Sequence, residues 1–216
     1  MPTAENPVSR DTISRSRGGE VGIEVLQQFL LTLSLRYPLD PPHKNSLAIE
    51  PYFSTPGVHP FDQIKWQKRS ATITDENGKV IFEQNDVEVP ANFSQLATKV
   101  VVSKYFYGEL GTPEREKSFK EVVHRVTRTI ADWGYQDGLL GSQEQKELFY
   151  EELTWLCVNQ YAAFNSPVWF NVGLYDVKGI PGSSHNFHWD SKSQAIKPCE
   201  NTYQYPQSSA CFIQSV

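Results

Sequence analysis

Apolar side chains recur every three or four positions through the middle of the chain, which is the spacing of amphipathic helices. We predict a first helix with Thr112 as N-cap and Pro113 at its first position, ending at Gly134. The residues that would form its buried face are Phe119, Val122, Val123, Val126, Ile130 and Trp133.

A second helix is predicted directly afterwards. Ser142 and Gln145 have the spacing of a capping box, in which each residue satisfies a backbone N–H group of the other. The short connection Tyr135–Gly141 favours antiparallel packing of the two helices. The buried face of the second helix would comprise Leu148, Phe149, Leu153, Leu156, Cys157 and Tyr161.

Two smaller elements are predicted upstream. Ala71–Phe82 contains two alternating runs around Asn77-Gly78, a pair that can take positive φ at both central positions of a turn, so a β-hairpin is expected. Ser94–Tyr107 has helical spacing. The apolar stripe of this helix would comprise Leu96, Val100, Val101 and Tyr105, with Phe106 as an alternative member.

The two ends of the chain differ from its middle. Residues 1–20 are polar and predict a disordered arm, which a short helix ending at Pro38 and a Pro-rich linker follow. Gly179–Tyr205 is a long loop without periodicity, and Phe212–Val216 predicts the beginning of a strand. Because that strand lacks partners, we expect the chain to stop inside a larger fold. We divide it at 1–50, 51–164 and 165–216.

Composition narrows the class of protein. The 216 residues carry 20 Lys and Arg against 25 Asp and Glu, a formal net charge of −5, which argues against nucleic acid as a partner. Three cysteines are too few for a secreted disulfide scaffold. No apolar run is long enough to span a membrane. We expect a cytoplasmic protein.

Two features could carry chemistry. Ser166 lies in the turn Asn165–Pro167 after a predicted helix, where a hydroxyl and backbone N–H groups could bind an anion, although a helix-terminating turn is the plainer interpretation. Cys211 opens the last strand and could be a redox thiol or nucleophile, or only a small buried side chain.

The remaining polar residues are weak candidates for a metal site. His185, His188, Asp190 and Cys199 lie close in sequence, but their spacing does not match structural zinc patterns, so no metal is expected. Cys157 is expected in the core and Cys199 on the surface. Phosphate-binding glycine loops and a serine-hydrolase elbow are absent from the sequence.

Four segments together resemble one enzyme family. They are GVHPFDQIKWQKRSATITDENGKVIFEQNDVEVP, SQLATKVVVSKYF, AFNSPVWFNVG and PQSSACFIQSV, and between Pro51 and Val216 they occur in the order found in the N-terminal part of adenosylcobalamin-dependent (class II) ribonucleotide reductase. The resemblance implies an α+β fold: a mainly helical N-terminal region with a small hairpin, leading into the first strand of a ten-stranded α/β barrel that would be truncated here.

The resemblance also implies roles for single residues. Cys211 would be one member of the redox-active cysteine pair, and Ser166, Ser209 and Ala210 would contact the ribonucleotide. Adenosylcobalamin would be bound mainly by the missing part, which would also supply the other catalytic residues. The implied partners are the remainder of the reductase chain and an external dithiol such as thioredoxin.

The leading hypothesis is therefore a reductase portion that is inactive alone and makes deoxyribonucleotides once the remainder is supplied, from diphosphates or, as the alternative, from triphosphates. The alternatives are a non-catalytic helical binding module and, far behind, a zinc or thiol hydrolase built on His185, His188 and Cys199.

Overall fold

The computed structural model describes residues 46–184, 186–190 and 193–208. All of these except Ser193 belong to one compact unit. The predicted arm, the helix before Pro38 and the strand Phe212–Val216 lie outside the described residues, as do His185, Ser209, Ala210 and Cys211.

The described part of the chain is α+β. A 3₁₀ turn and a long hairpin precede three helices, and a short helix and a second small hairpin follow. The elements are the 3₁₀ turn Pro60–Gln63, β1 (Trp66–Thr74), β2 (Val80–Pro90), α1 (Gln95–Lys104), α2 (Phe119–Gln136), α3 (Gln143–Val158), α4 (Ser166–Asn171), β3 (Phe187–Asp190) and β4 (Ala195–Pro198).

The first hairpin confirms the prediction, but its turn differs. β1 and β2 pair antiparallel, and the connecting turn closes with a hydrogen bond from Gly78 N–H to the Asp75 carbonyl. Of the predicted central pair Asn77-Gly78, only Gly78 has positive φ (+80°), and the Asp75 carboxylate accepts the N–H groups of Asn77 and Lys79. The aspartate side chain thus selects a turn with one left-handed residue instead of two.

Helix α1 is present, but its predicted apolar stripe is only partly right: Phe106, its alternative member, is buried and Val101 and Tyr105 are half-buried. Leu96 is 72% exposed and Val100 is also exposed, whereas Thr98 and Val102 are buried. Arg69 of β1 donates to the Thr98 hydroxyl and to the carbonyl of Phe93. A polar contact with β1 therefore determines which side of α1 faces the core. Hydrophobic periodicity alone could not predict this orientation.

Helix α2 confirms its predicted buried face, since all six apolar residues are buried. Its start is wrong: Ser118 is the N-cap and forms a capping box with Glu121, and Thr112-Pro113 lies in a turn. The helix also runs past Gly134 to Gln136, and Gly138 follows with φ of +73°. The helix starts later because Arg115 and Glu116 lie buried in a non-helical segment. Their side chains form hydrogen bonds with the neighbouring backbone, which hold that segment in place.

Helices α2 and α3 pack antiparallel, as predicted. Thr127 hydrogen bonds Thr154, and further along the pair Lys146 contacts Asp132 at 2.9 Å. Phe149, Leu153, Leu156 and Cys157 are buried and Leu148 is half-buried, but Tyr161 is 70% exposed because α3 already ends at Val158.

The chain ahead of the first hairpin is tied to α3 by side chains of that helix. Ser142 caps α3 as predicted, but the Gln145 side chain bonds the backbone of Ile49 instead of completing a capping box. The Glu152 carboxylate accepts the N–H groups of Phe53 and Ser54 as well as the Ser54 hydroxyl.

A second hairpin lies inside the stretch predicted to be an unstructured loop. β3 and β4 pair antiparallel, with Trp189 opposite Ile196. Its strands are hard to predict because each has only four residues: β3 (Phe187–Asp190) does alternate apolar and polar side chains, but β4 (Ala195–Pro198) does not. The ten-stranded barrel and the divisions at residues 50 and 164 stay predictions. No helix in the described ranges is long and apolar enough to cross a membrane.

A chain of hydrogen bonds joins the 3₁₀ turn to the helix pair through Tyr150. Nδ1 of His59 accepts the Phe61 N–H, so the proton of the neutral ring is on Nε2, which donates to the Tyr150 hydroxyl at 3.2 Å. The Tyr150 hydroxyl is also hydrogen bonded to Nδ1 of His124, with the two atoms 2.8 Å apart. Burial lowers the pKa of His124, the charge of Arg128 lowers it further, and the charge of Asp132 opposes both effects.

We predict that these hydrogen bonds through Tyr150 make the free energy of unfolding depend on pH. Because the pKa of His124 is below its ordinary value of 6.5, the unfolded chain binds a proton that the folded one does not, and the free energy of unfolding falls as the pH drops below that value. Urea unfolding at about pH 7.5 and about pH 5.5 should show this loss, and His124→Gln should reduce it. An unchanged difference between the two pH values in the variant would contradict this role for His124.

Candidate functional site

Ser166 opens a new helix instead of ending the previous one. The Asn165 side chain caps α4 by accepting the Val168 N–H, and the Asn165 carbonyl accepts the Trp169 N–H. Pro167 has no N–H group. Asn165 thus occupies the N–H groups of Val168 and Trp169 in the first turn of α4, and the Ser166 hydroxyl, on a half-buried residue, is a further group that could donate to a ligand.

The Ser166 hydroxyl contacts Tyr105, the C-cap residue of α1. Ser166 Oγ and Tyr105 Oη are 3.1 Å apart. The Tyr105 ring stacks on Phe170 with centroids 5.3 Å apart, one turn further along α4. Helix α4 thus offers both a hydroxyl partner and an aromatic platform to the same tyrosine.

Two asparagines of the α4 region hold the chain that leads to Cys211. Asn165 Nδ2 donates to the Ser208 carbonyl at 2.8 Å, and Asn171 Nδ2 donates to the Gln207 carbonyl at 3.3 Å. The structure therefore brings the Ser-Pro turn together with the residue that directly precedes Ser209. Ser209, Ala210 and Cys211 themselves lie outside the described residues.

A buried ion pair packs against helix α4 and the C-terminal end of α1. Arg125 of α2 and Glu116 are both fully buried, and Arg125 Nε donates to Glu116 Oε1 at 2.9 Å. Lys178 adds a second cation 3.1 Å from the same oxygen, and the other oxygen accepts the Tyr107 N–H. The carboxylate is thus satisfied on both oxygens.

The remaining guanidinium donors of Arg125 hold α4 and the end of α1. Nη1 donates to the Val172 carbonyl at 2.9 Å, and Nη2 donates to the carbonyls of Trp169 at 2.7 Å and Tyr105 at 3.2 Å. Gly173, with φ of +82°, passes so close to the Arg125 backbone that a Cβ atom would lie 2.1 Å from its carbonyl oxygen. The glycine of the NVG sequence is therefore required for this approach.

The cysteines of the described chain have structural surroundings. Cys157 is buried, as expected, and burial raises the pKa of its thiol to about 12. The expectation of a surface position for Cys199 is wrong: it is buried, its Sγ lies 3.2 Å from Nδ1 of His188, and burial raises its thiol pKa. The thiol is inside because it packs beneath the second hairpin against His188, whose ring stacks on Tyr205 at 3.9 Å.

Within the described ranges no group of three or more His, Cys, Asp or Glu residues could hold a metal ion. Asp190 pairs instead with Lys197 at 3.1 Å. His188, Asp190 and Cys199 therefore hold the second hairpin together through noncovalent side-chain contacts.

Sequence reasoning singled out Ser166 as a candidate but did not single out Asn165, Tyr105 or Arg125. The contacts of Tyr105 with Ser166 and of Asn165 with Ser208 are long-range and have no local signal, whereas the capping role of Asn165 had one, since Asn followed by Ser-Pro is typical of a helix start. Arg125 did leave one, because it follows Val122 by three positions and so lies beside the apolar face of α2, where a charged residue needs a buried partner.

Comparison with known proteins identifies the family. The family model described as class II vitamin B12-dependent ribonucleotide reductase matches residues 67–160. A vitamin B12-dependent ribonucleotide reductase of Rhodopirellula baltica is 55% identical over 161 residues, which cover 74% of this chain and 16% of that protein. Proteins of the same name are 42% identical over 171 residues in Streptomyces coelicolor, covering 79% and 15%, and 32% identical over 206 residues in Agrobacterium fabrum, covering 79% and 16%.

The α+β unit with its capped Ser-Pro turn is thus a portion of an oxidoreductase fold. The chain belongs to the class II, vitamin B12-dependent ribonucleotide reductase family. It spans about a sixth of the length of the relatives it matches, at their N-terminal portion.

We predict that the buried ion pair is essential for stability. Glu116→Gln leaves the Arg125 guanidinium buried without its counter-ion and should lower the free energy of unfolding by about 3–5 kcal/mol. The control Glu114→Gln removes the same charge from an exposed position two residues earlier and should change it by less than about 0.5 kcal/mol. Equal urea midpoints for the two variants would refute this role.

We also predict that Asn165 holds the segment before Cys211. Asn165→Asp keeps the oxygen that caps α4 but replaces the amide that donates to Ser208, so hydrogen exchange around residues 205–208 should accelerate while exchange within α4 stays slow. Asn92→Asp, the same change at an exposed turn position, serves as the control. Unaltered exchange in the Asn165 variant would show that the amide does not restrain this segment.

Proposed function

We propose that this chain is the N-terminal part of an adenosylcobalamin-dependent ribonucleotide reductase and, together with the remainder of that chain, converts ribonucleotides into deoxyribonucleotides for DNA synthesis in the cytoplasm. Cys211 is the redox-active thiol, and Ser166, Ser209 and Ala210 contact the substrate. The substrate is the diphosphate, because the long N-terminal form resembles the diphosphate-using members. The chain alone is inactive, and a dithiol such as thioredoxin re-reduces the enzyme.

The observation that carries the proposal is the hydrogen bond between Asn165 and the Ser208 carbonyl. It joins the two segments, AFNSPVWFNVG and PQSSACFIQSV, on which the substrate and thiol assignments rest. The contact therefore supports a shared site for Ser166 and the residues after Ser208.

The chemistry assigned to Cys211 has a simple balance. Reduction replaces the 2′-hydroxyl of the ribose with hydrogen, releases that oxygen as water and oxidises two thiols to one disulfide. Cys211 supplies one thiol. Because Cys157 and Cys199 are buried in the helix pair and the hairpin, the second thiol comes from the remainder of the reductase.

Cobalamin is proposed to be bound mainly by the remainder of the reductase, and none of the described residues is assigned to it. The three described histidines all contact other side chains: His59 and His124 bond Tyr150, and His188 lies between Cys199 and Tyr205. This arrangement does not fit a cobalt-ligating site. Adenosylcobalamin, when bound, supplies the radical that starts the reaction, and the proposal places its binding surface in the remainder of the enzyme.

We predict that Cys211→Ser abolishes dithiol-dependent turnover when the chain is combined with the remainder of the reductase, because a serine hydroxyl cannot form the disulfide. Turnover is measured as deoxyribonucleotide formed with a dithiol reductant. Cys199→Ser makes the same atomic exchange at a buried cysteine and should leave turnover in place. Full activity of the Cys211 variant would refute the assignment of the thiol.

A further inference from the structure

We propose that Tyr105 is a positioning residue that fixes the direction in which the Ser166 hydroxyl donates to the substrate. The inference rests on the proposed contact between Ser166 and the ribonucleotide. It adds to that contact a residue in a different part of the sequence, one that touches Ser166 and acts on the substrate through it.

Tyr105 is held at three points, so its hydroxyl has a defined place. Its backbone N–H donates to the Val101 carbonyl at 2.9 Å, which continues α1 by one residue. Its own carbonyl accepts from Arg125 at 3.2 Å, which anchors it to the buried ion pair. Its ring stacks on Phe170 with an interplanar angle of 25°. Backbone, carbonyl and ring together leave the side chain little freedom to swing away from Ser166.

The chemistry of the two hydroxyls sets the direction of the hydrogen bond. A phenol is more acidic than an aliphatic alcohol and is therefore the better donor. With Tyr105 donating to Ser166 Oγ over 3.1 Å, the serine hydrogen is left to point elsewhere, toward a substrate oxygen. A hydroxyl that accepts one hydrogen bond also becomes a stronger donor in the next.

The orientation of this hydroxyl matters because the neighbouring donors are already committed. The N–H groups of Val168 and Trp169 are accepted by Asn165, and Pro167 has none. A substrate at the turn therefore depends on Ser166, whose hydroxyl is the donor that can rotate toward or away from it. Without the tyrosine, that hydroxyl could rotate among its staggered positions, and binding would carry the cost of selecting one of them.

The test uses Tyr105→Phe in the complete reductase, in which this chain is combined with its remainder. The substitution keeps the ring on Phe170 and removes only the hydroxyl. We expect KM for the ribonucleotide to rise about 3- to 10-fold, with kcat within about twofold and an unchanged thermal midpoint. Tyr161→Phe removes the same atom from an exposed tyrosine and should change none of these quantities.

A double-mutant cycle with Ser166→Ala separates this inference from the proposed function. If Tyr105 acts through Ser166, the double variant has the KM of Ser166→Ala alone. If Ser166→Ala leaves KM unchanged, the proposed substrate contact fails. If Ser166→Ala raises KM but Tyr105→Phe does not, or if the two effects multiply, the positioning role of Tyr105 is overturned and the contact stands.

Discussion

The fully buried ion pair between Glu116 and Arg125 is the interaction on which the rest of the described structure depends. Two charges out of water are tolerated only when they are paired and their remaining hydrogen-bonding groups are satisfied. Here the remaining groups are satisfied by backbone: Arg125 donates to carbonyls beside α1 and α4, and Glu116 accepts an N–H from the chain after α1. The pair is stable only when those segments meet at the middle of α2.

This requirement explains how a short helix can hold the candidate residue Ser166 in a defined position. Six residues cannot form a stable helix by themselves. Helix α4 is held at its C-terminal end by the guanidinium of Arg125 and by the close approach of Gly173, and at its first residue by the side chains of Asn165 and Tyr105. The position of Ser166 is therefore set by contacts between separate elements. The backbone at Ser208 is bound at the same place, through Asn165.

Particular elements show where reasoning from sequence succeeds. The buried face of α2 was predicted residue by residue, because six apolar side chains at helical spacing allow one orientation. The start of that helix was misplaced, because Thr112-Pro113 has good capping chemistry and the buried role of Arg115 and Glu116 outweighs it. The stripe of α1 was only partly right for a similar reason: the face with Leu96 is more apolar, yet Thr98 is inside with a hydrogen bond from Arg69.

The sequence by itself determined the helix pair, the first hairpin and the family, because periodicity, turn chemistry and long motifs are local properties of the chain. Only the tertiary structure decided which residues surround Ser166. Tyr105 and Ser166 are separated by 61 positions, and Asn165 and Ser208 by 43. A hydrogen bond across such a separation leaves no trace in the spacing of either partner, because it exists only after packing has brought the two segments together.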